Sequence, residues 1–166
     1  MIRDMIRKNQ LLDDETCEAV LKRNTNGIMA VMGDEEYPYG VPLSFVWHDG
    51  KVYFHTGNHG YKLECIRKNP KVSFTVVDKD EIVEEEYTTY FRSVIILGRA
   101  RETEGEEKLA AFKAMADKYS PSMAEEARMK EVSECSQALI IAIDVDHMTG
   151  KEAIEIVRAR KKECMD

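Results

Sequence analysis

The chain has 166 residues, of which 43% are hydrophobic and 33% charged, and a net charge of −7. That composition suits one soluble globular domain, residues 1–166, with a sizeable core. It argues against a nucleic-acid partner, which needs a basic face, and no apolar run approaches the ~20 residues of a membrane span. The four cysteines (Cys17, Cys65, Cys135, Cys164) are widely spaced, the N-terminus lacks an apolar export region, and no His/Cys spacing fits a metal site. Reduced thiols in a cytoplasmic protein without a metal are expected.

Residues 12–23 read as a helix, with Asp13 and Asp14 at its start and Leu12, Val20 and Leu21 on its apolar face. From residue 27 the pattern turns to strands. Residues 28–32 are apolar throughout, which predicts a strand buried on both faces. After the turn at residues 33–36, Val41, Leu43, Phe45 and Trp47 alternate with Pro42, Ser44 and His48 as a half-buried strand. Asp49-Gly50 is a hairpin signal, because that turn needs positive φ at both positions, and residues 52–55 return as the partner strand.

The following segment is Tyr53-Phe-His-Thr-Gly57, then Asn58-His-Gly-Tyr-Lys62, ending at Asn69-Pro70. It predicts a strand, a glycine-rich turn and a short helix stopped before the proline. A helix start presents unpaired N–H groups and the positive end of a dipole. Lys62 adds a full charge there, and Gly57 and Gly60 let the backbone approach closely. This chemistry suits a phosphate, without being the P-loop pattern. An ordinary strand-to-helix connection with a solvated lysine is equally open.

Residues 72–77 read as another strand, the acidic run 78–86 as a surface loop, and residues 93–100 as a strand with a bend or bulge at Gly98. Thr103-x-x-Glu106 has the form of a capping box. On the helix it opens, Leu109, Phe112, Ala116 and Tyr119 share one stripe, expected as core or subunit contact. A second helix is expected to start at Ser120-Pro121, and residues 138–145 to form a last buried strand. Residues 149–153 and a basic tail, 158–162, end the chain. His48, His59 and His147 are expected in turns or at strand ends, and Lys151 in solvent. Six short strands, mostly joined by hairpins and interleaved with helices, predict a mainly β fold: a small antiparallel barrel with peripheral helices.

Four blocks, within residues 12–153, carry a resemblance. They are Tyr37-Pro-Tyr-Gly-Val-Pro-Leu-Ser-Phe45; Tyr53-Phe-His-Thr-Gly57 through Lys62 to Asn69-Pro70; Tyr90-Phe-Arg-Ser-Val-Ile-Ile-Leu-Gly-Arg-Ala100; and Met148-Thr-Gly-Lys-Glu-Ala153. In this order the chain resembles the split-barrel flavin-binding proteins related to pyridoxamine 5′-phosphate oxidase, and among them most the nitroimidazole-resistance family. The resemblance implies a six-stranded antiparallel split β-barrel and a homodimer with FMN at its interface. It implies that Val41, Pro42, Leu43 and Ser44 line the isoalloxazine edge. His55 and Thr56 would flank the ring and ribityl chain, and Tyr61 and Lys62 the phosphate. Ser93 and Val94 would reach the flavin from a neighbouring strand, of this or the other subunit.

Two departures matter. Tyr61 stands where the pyridoxamine phosphate oxidases carry a second basic residue, and their C-terminal arginine-and-histidine substrate motif is missing, so vitamin B6 oxidation is not expected. The expected activity is FMN-dependent reduction of a nitroaromatic or other electron-poor small molecule. His55 is the expected catalytic residue, since a histidine titrates near working pH and can donate a proton. A purely cofactor-binding His55 stays open, as do a flavin store or sensor and a split barrel holding haem.

Overall fold

Alternation of side chains builds the sheet. In β5 (Lys71–Val83), Val72, Phe74 and Val76 are buried while Ser73, Thr75 and Val77 face outward. The same period of two runs through β1 (Asn26–Met32), where Met29 and Val31 are buried and Ile28 and Met32 are exposed. The segment expected to be buried on both faces is therefore one-sided. The computed structural model describes residues 2–163; Cys164, expected as a free thiol, lies outside the described residues, whereas Cys17, Cys65 and Cys135 are free.

The remaining strands are β2 (Pro38–Ser44), β3 (Val46–His48), β4 (Lys51–Thr56), β6 (Thr88–Glu102) and β7 (Leu139–Glu152). They form one antiparallel sheet in the order β2-β1-β5-β6-β7-β4-β3, curled but not closed. The sheet thus has seven strands rather than the expected six. The extra strand arises at Phe45, where the alternation of residues 41–47 fails: Phe45, Val46 and Trp47 are buried in succession. Phe45 separates β2, on one edge of the sheet, from β3, on the other. Its ring packs edge-on against Phe74 with centroids 4.9 Å apart.

The hairpin at Asp49-Gly50 has φ of 47° and 71°, both positive as its turn type requires. The acidic run is not a loop. It continues β5 to Val83, pairs with β6 as far as Val83↔Thr88, and turns through a short 3₁₀ segment, Glu84–Glu86. The bulge expected at Gly98 is present, as the β6–β7 register shifts between Leu97 and Gly98. A side chain at Gly98 would meet the Asp144 carbonyl at 2.3 Å, so this close approach needs glycine. β7 runs well past residue 145, which places His147 within the strand instead of at its end.

Among the described residues five α-helices surround the sheet: α1 (Asp14–Arg23), α2 (Tyr61–Lys68), α3 (Gly105–Tyr119), α4 (Glu125–Glu134) and α5 (Ile154–Glu163). Asp13 caps α1 by accepting from the Thr16 N–H at 2.7 Å. The capping box at residue 103 does not form. Thr103 is buried and donates its hydroxyl to the Ile140 carbonyl at 3.0 Å, and the N-cap falls on Glu104. Pro121 lies in a turn, and α4 begins at Glu125. No helix among the described residues is long and apolar enough to cross a membrane.

Buried charges tie the C-terminal end to the barrel. Glu152, fully buried, takes Arg92 at 2.9 Å and Arg160 at 2.8 Å. Arg92 also reaches Asp78 at 3.3 Å, and Asp78 accepts further hydrogen bonds from Arg23 and Asn24. Buried carboxylates persist only when paired in this way.

Candidate functional site

The site begins where strand pairing ends. β3 and β4 pair Val46 with Tyr53. Continued by two residues, that register sets Ser44 opposite His55, but the chain has already left β4 at Phe45. Ser44 and His55 therefore face each other across a split, and both line one cavity of about 370 Å³. The split leaves β2 as an edge strand, paired only with β1. The outward N–H and C=O groups of an edge strand remain free to bond a ligand. Val41 and Leu43 turn half-buried side chains inward, while Pro42 and Ser44 are exposed.

The helical wall of the cavity comes from Phe112, Met115, Ala116 and Tyr119 of α3 and Val132 of α4. Phe112, Ala116 and Tyr119 belong to the stripe visible in the sequence, but the face of α3 that enters the core carries Ala111 and Met115. Of the stripe, Phe112 packs against the core as expected and with Ala116 and Tyr119 also lines the cavity, while Leu109 is exposed. Tyr119 anchors this wall to the break in the sheet: its hydroxyl accepts from the Phe45 N–H at 2.9 Å and donates to the carbonyl of Thr25 or Phe45. Beside it Lys118 lies over the Phe45 ring at 4.4 Å and donates to the Asn24 carbonyl at the end of α1. Burial pushes the Lys118 ammonium down to about 8. Neither role of these two residues has a sequence signal, because both partners are backbone groups about ninety positions away.

From His55 the chain passes through buried Thr56 into the turn that opens α2. Gly60, the N-cap, has φ of 132°, and nothing lies within 4 Å of where its side chain would be. The helix start is therefore open to a ligand, and only glycine takes this conformation easily. Lys62 is half-buried in the first turn and makes no ion pair among the described residues. Tyr61 is held by the Asp34 N–H, which donates to its hydroxyl at 2.6 Å, and its ring lies 4.9 Å from that of Tyr39. The sequence flagged Tyr61 but not Tyr39.

Ser93 and Val94 lie elsewhere. Ser93 is on the outer face of β6, in a cleft with Ile95, Leu97, His147 and Lys151 beneath Ile2 and Met5. Val94 is fully buried, its side chain facing the core and its backbone paired with Val76 on one side and Gly150 on the other. Neither joins the cavity at Ser44 and His55. Lys151, expected in solvent, packs over the Phe91 ring at 5.2 Å.

An open antiparallel barrel, split beside a glycine-opened helix start, defines the class. The chain belongs to the pyridoxamine 5′-phosphate oxidase family, whose sequence model matches residues 13–152. It is 28% identical over 153 residues to an uncharacterized protein of Rhizobium meliloti, covering 87% of this chain and 95% of that one. Among solved structures it is similar to a candidate 5-nitroimidazole antibiotic resistance protein from Bacteroides thetaiotaomicron, with TM-score 0.70, 22% identity and 86% of each chain covered. It is also similar to an FAD and heme binding protein from Mycobacterium smegmatis, with TM-score 0.71, 17% identity, and 88% of this chain and 74% of that one covered. At these identities the two solved structures share the fold.

Proposed function

We propose that the protein binds FMN in the split of its barrel and reduces an electron-poor small molecule of the nitroaromatic type. The observation that carries this reading is the convergence of Ser44 and His55 on one cavity, with the open helix start of α2 a few residues further along the chain. The similarity in fold to the FAD and heme binding protein of Mycobacterium smegmatis supports it.

The residues present fit this cofactor. Lys62 and the N–H groups at the start of α2 suit the phosphate dianion, and the space at Gly60 admits it. The free backbone edge of residues 41–44 suits the hydrogen-bonding edge of the isoalloxazine. Thr56 lies on β4 beyond the reach of β3, so one edge of its backbone is free of strand pairing and suits the ribityl chain. Bound flavin supplies the hydride chemistry, and the protein positions it. His55, exposed at the cavity wall, is placed to donate a proton to the reacting molecule.

A second copy of the chain completes the site in this reading. The outer face of the sheet carries a paired row, Pro42–Ile28–Thr75–Ile95–Thr149, in which Ile28 is 45% and Ile95 41% exposed. A twofold contact would cover these side chains and bring Ser93 of one copy toward the split of the other.

Purified protein reconstituted with FMN should be yellow, and reduced flavin should be reoxidised by a nitroaromatic. His55→Ala should retain FMN within several-fold yet slow that reoxidation by ~10²-fold, the usual scale for a positioned acid. Normal turnover of the saturated variant would leave His55 a cofactor contact. A Soret band in place of flavin absorbance would overturn the cofactor.

A further inference from the structure

The cavity behind the split has a chemical character that the flavin reading does not use. Its volume is about 370 Å³. A cavity of about 150 Å³ holds benzene, so this one takes two fused rings. The helical wall presents the side chains of Phe112, Met115, Ala116 and Val132, which offer a flat apolar guest no hydrogen bonds. The Tyr119 hydroxyl is engaged by Phe45 and Thr25 and has nothing left to donate inward.

The polar groups lie at two ends. On the sheet side Ser44 and His55 can both donate to a carbonyl or nitro oxygen. At the α4 end lies the Glu131 carboxylate, which accepts from the Cys135 thiol at 3.2 Å. That hydrogen bond holds the Cys135 thiol above its ordinary pKa and keeps it protonated. No lysine or arginine lines the cavity among the described residues. An anion entering it would give up water, meet a carboxylate and find no fixed cation. The chain's net charge of −7 adds to that rejection.

We propose that this cavity binds an uncharged two-ring aromatic compound bearing a carbonyl oxygen, of naphthoquinone size, with that oxygen toward Ser44 and His55, and that it rejects anionic relatives of the same shape. The assignment rests on the flavin reading in one respect: the flavin must lie along the split and leave the space under α3 and α4 to the guest.

The test is calorimetric titration of the flavin-loaded protein with 2,3-dimethyl-1,4-naphthoquinone, whose blocked ring carbons cannot add to Cys135, and with a sulfonated naphthoquinone. The neutral quinone should bind at least about tenfold more tightly than the sulfonate. Glu131→Gln, at an exposed position, should narrow that gap several-fold. Ala116→Phe should fill the cavity and weaken the neutral quinone about tenfold or more, with circular dichroism confirming the fold. Equal or tighter binding of the sulfonate overturns the proposal, as does an Ala116→Phe variant that binds the quinone normally. FMN binding, measured separately on the flavin-free protein, distinguishes the two readings. FMN bound with no quinone bound sinks this inference alone; quinone bound with no FMN sinks the flavin reading and leaves the cavity assignment standing. Competition between FMN and quinone would make the cavity the flavin's own and end the proposal.

Discussion

Tyr119→Phe removes one oxygen atom and isolates the contact that holds α3 to the break between β2 and β3. The hydroxyl accepts from the Phe45 N–H at 2.9 Å and donates to a carbonyl, of Thr25 at 2.7 Å or Phe45 at 2.8 Å. After the substitution the Phe45 N–H keeps only a long contact to the Thr25 carbonyl, 3.4 Å. Leaving a buried backbone donor poorly satisfied costs ~1–3 kcal/mol. Tyr119 is 40% exposed, so water replaces part of the loss, and a cost of ~1–2 kcal/mol is expected. For a chain of this size that lowers Tm by roughly 2–8 °C. Urea unfolding should show the midpoint falling with the slope m unchanged. Ser44 precedes Phe45, so the same variant should also weaken the ligand at the cavity wall. A stability loss under ~0.5 kcal/mol, the range of ordinary surface changes, would refute the claim that this hydroxyl fixes the break.

Lys62→Ala should weaken FMN by roughly ten- to a hundredfold and riboflavin far less, since only FMN carries the dianion that a charge-assisted contact of ~1.5–3 kcal/mol would hold; equal losses in a titration of both ligands would remove Lys62 from the phosphate. Burial pulls the Asp78 carboxyl up, but hydrogen bonds from Arg23 and Asn24 outweigh it and hold the group below the ordinary carboxylate range. Its contribution is therefore present above the unfolded pKa of about 3.9 and is lost as pH falls through the lower folded value, so Asp78→Asn should flatten the acid limb of stability against pH. Light scattering at micromolar concentration should give twice the 19.1 kDa chain mass; a monomer would leave Ile28 and Ile95 uncovered and sink the two-copy site.

Local signals carried much of the fold. Asp49-Gly50, Asn69-Pro70 and the Asp13 cap lie in residues whose backbone preference decides the outcome alone, and each appears where expected. Thr103 looked equally local, yet its hydroxyl went to Ile140, 37 positions away, because tertiary pairing supplied a better acceptor than the helix start. The acidic run 78–86 misled for a related reason. A charged strand is stable when its ladder partner, here Thr88 to Arg92, is already aligned by the apolar stretch before it. Of the site, the segment from His55 to Lys62 was legible because it is contiguous. The wall from α3 and α4 was not, since the stripe of Phe112, Ala116 and Tyr119 looks the same whether it meets a core, a subunit or a cavity.

The break at Phe45 makes one structural fact serve both fold and site. A continuous strand over residues 38–48 would pair with β1 on one side and β4 on the other, and would close the barrel. Burying Phe45 against Phe74 instead turns the chain through the interior at that point. The residues before it then pair with β1 and leave their other edge free, and those after it pair with β4 only as far as Tyr53. The gap falls between Ser44 and His55 because the register, continued, would have joined them. Side chains on both walls are thus set by regular strands, while the space between them holds no ladder hydrogen bonds to displace. A ligand entering there meets backbone groups of residues 41–44 that solvent alone would otherwise satisfy. Filling the split by a Phe45 variant that restored β2–β4 pairing would stabilise the sheet and close the site together.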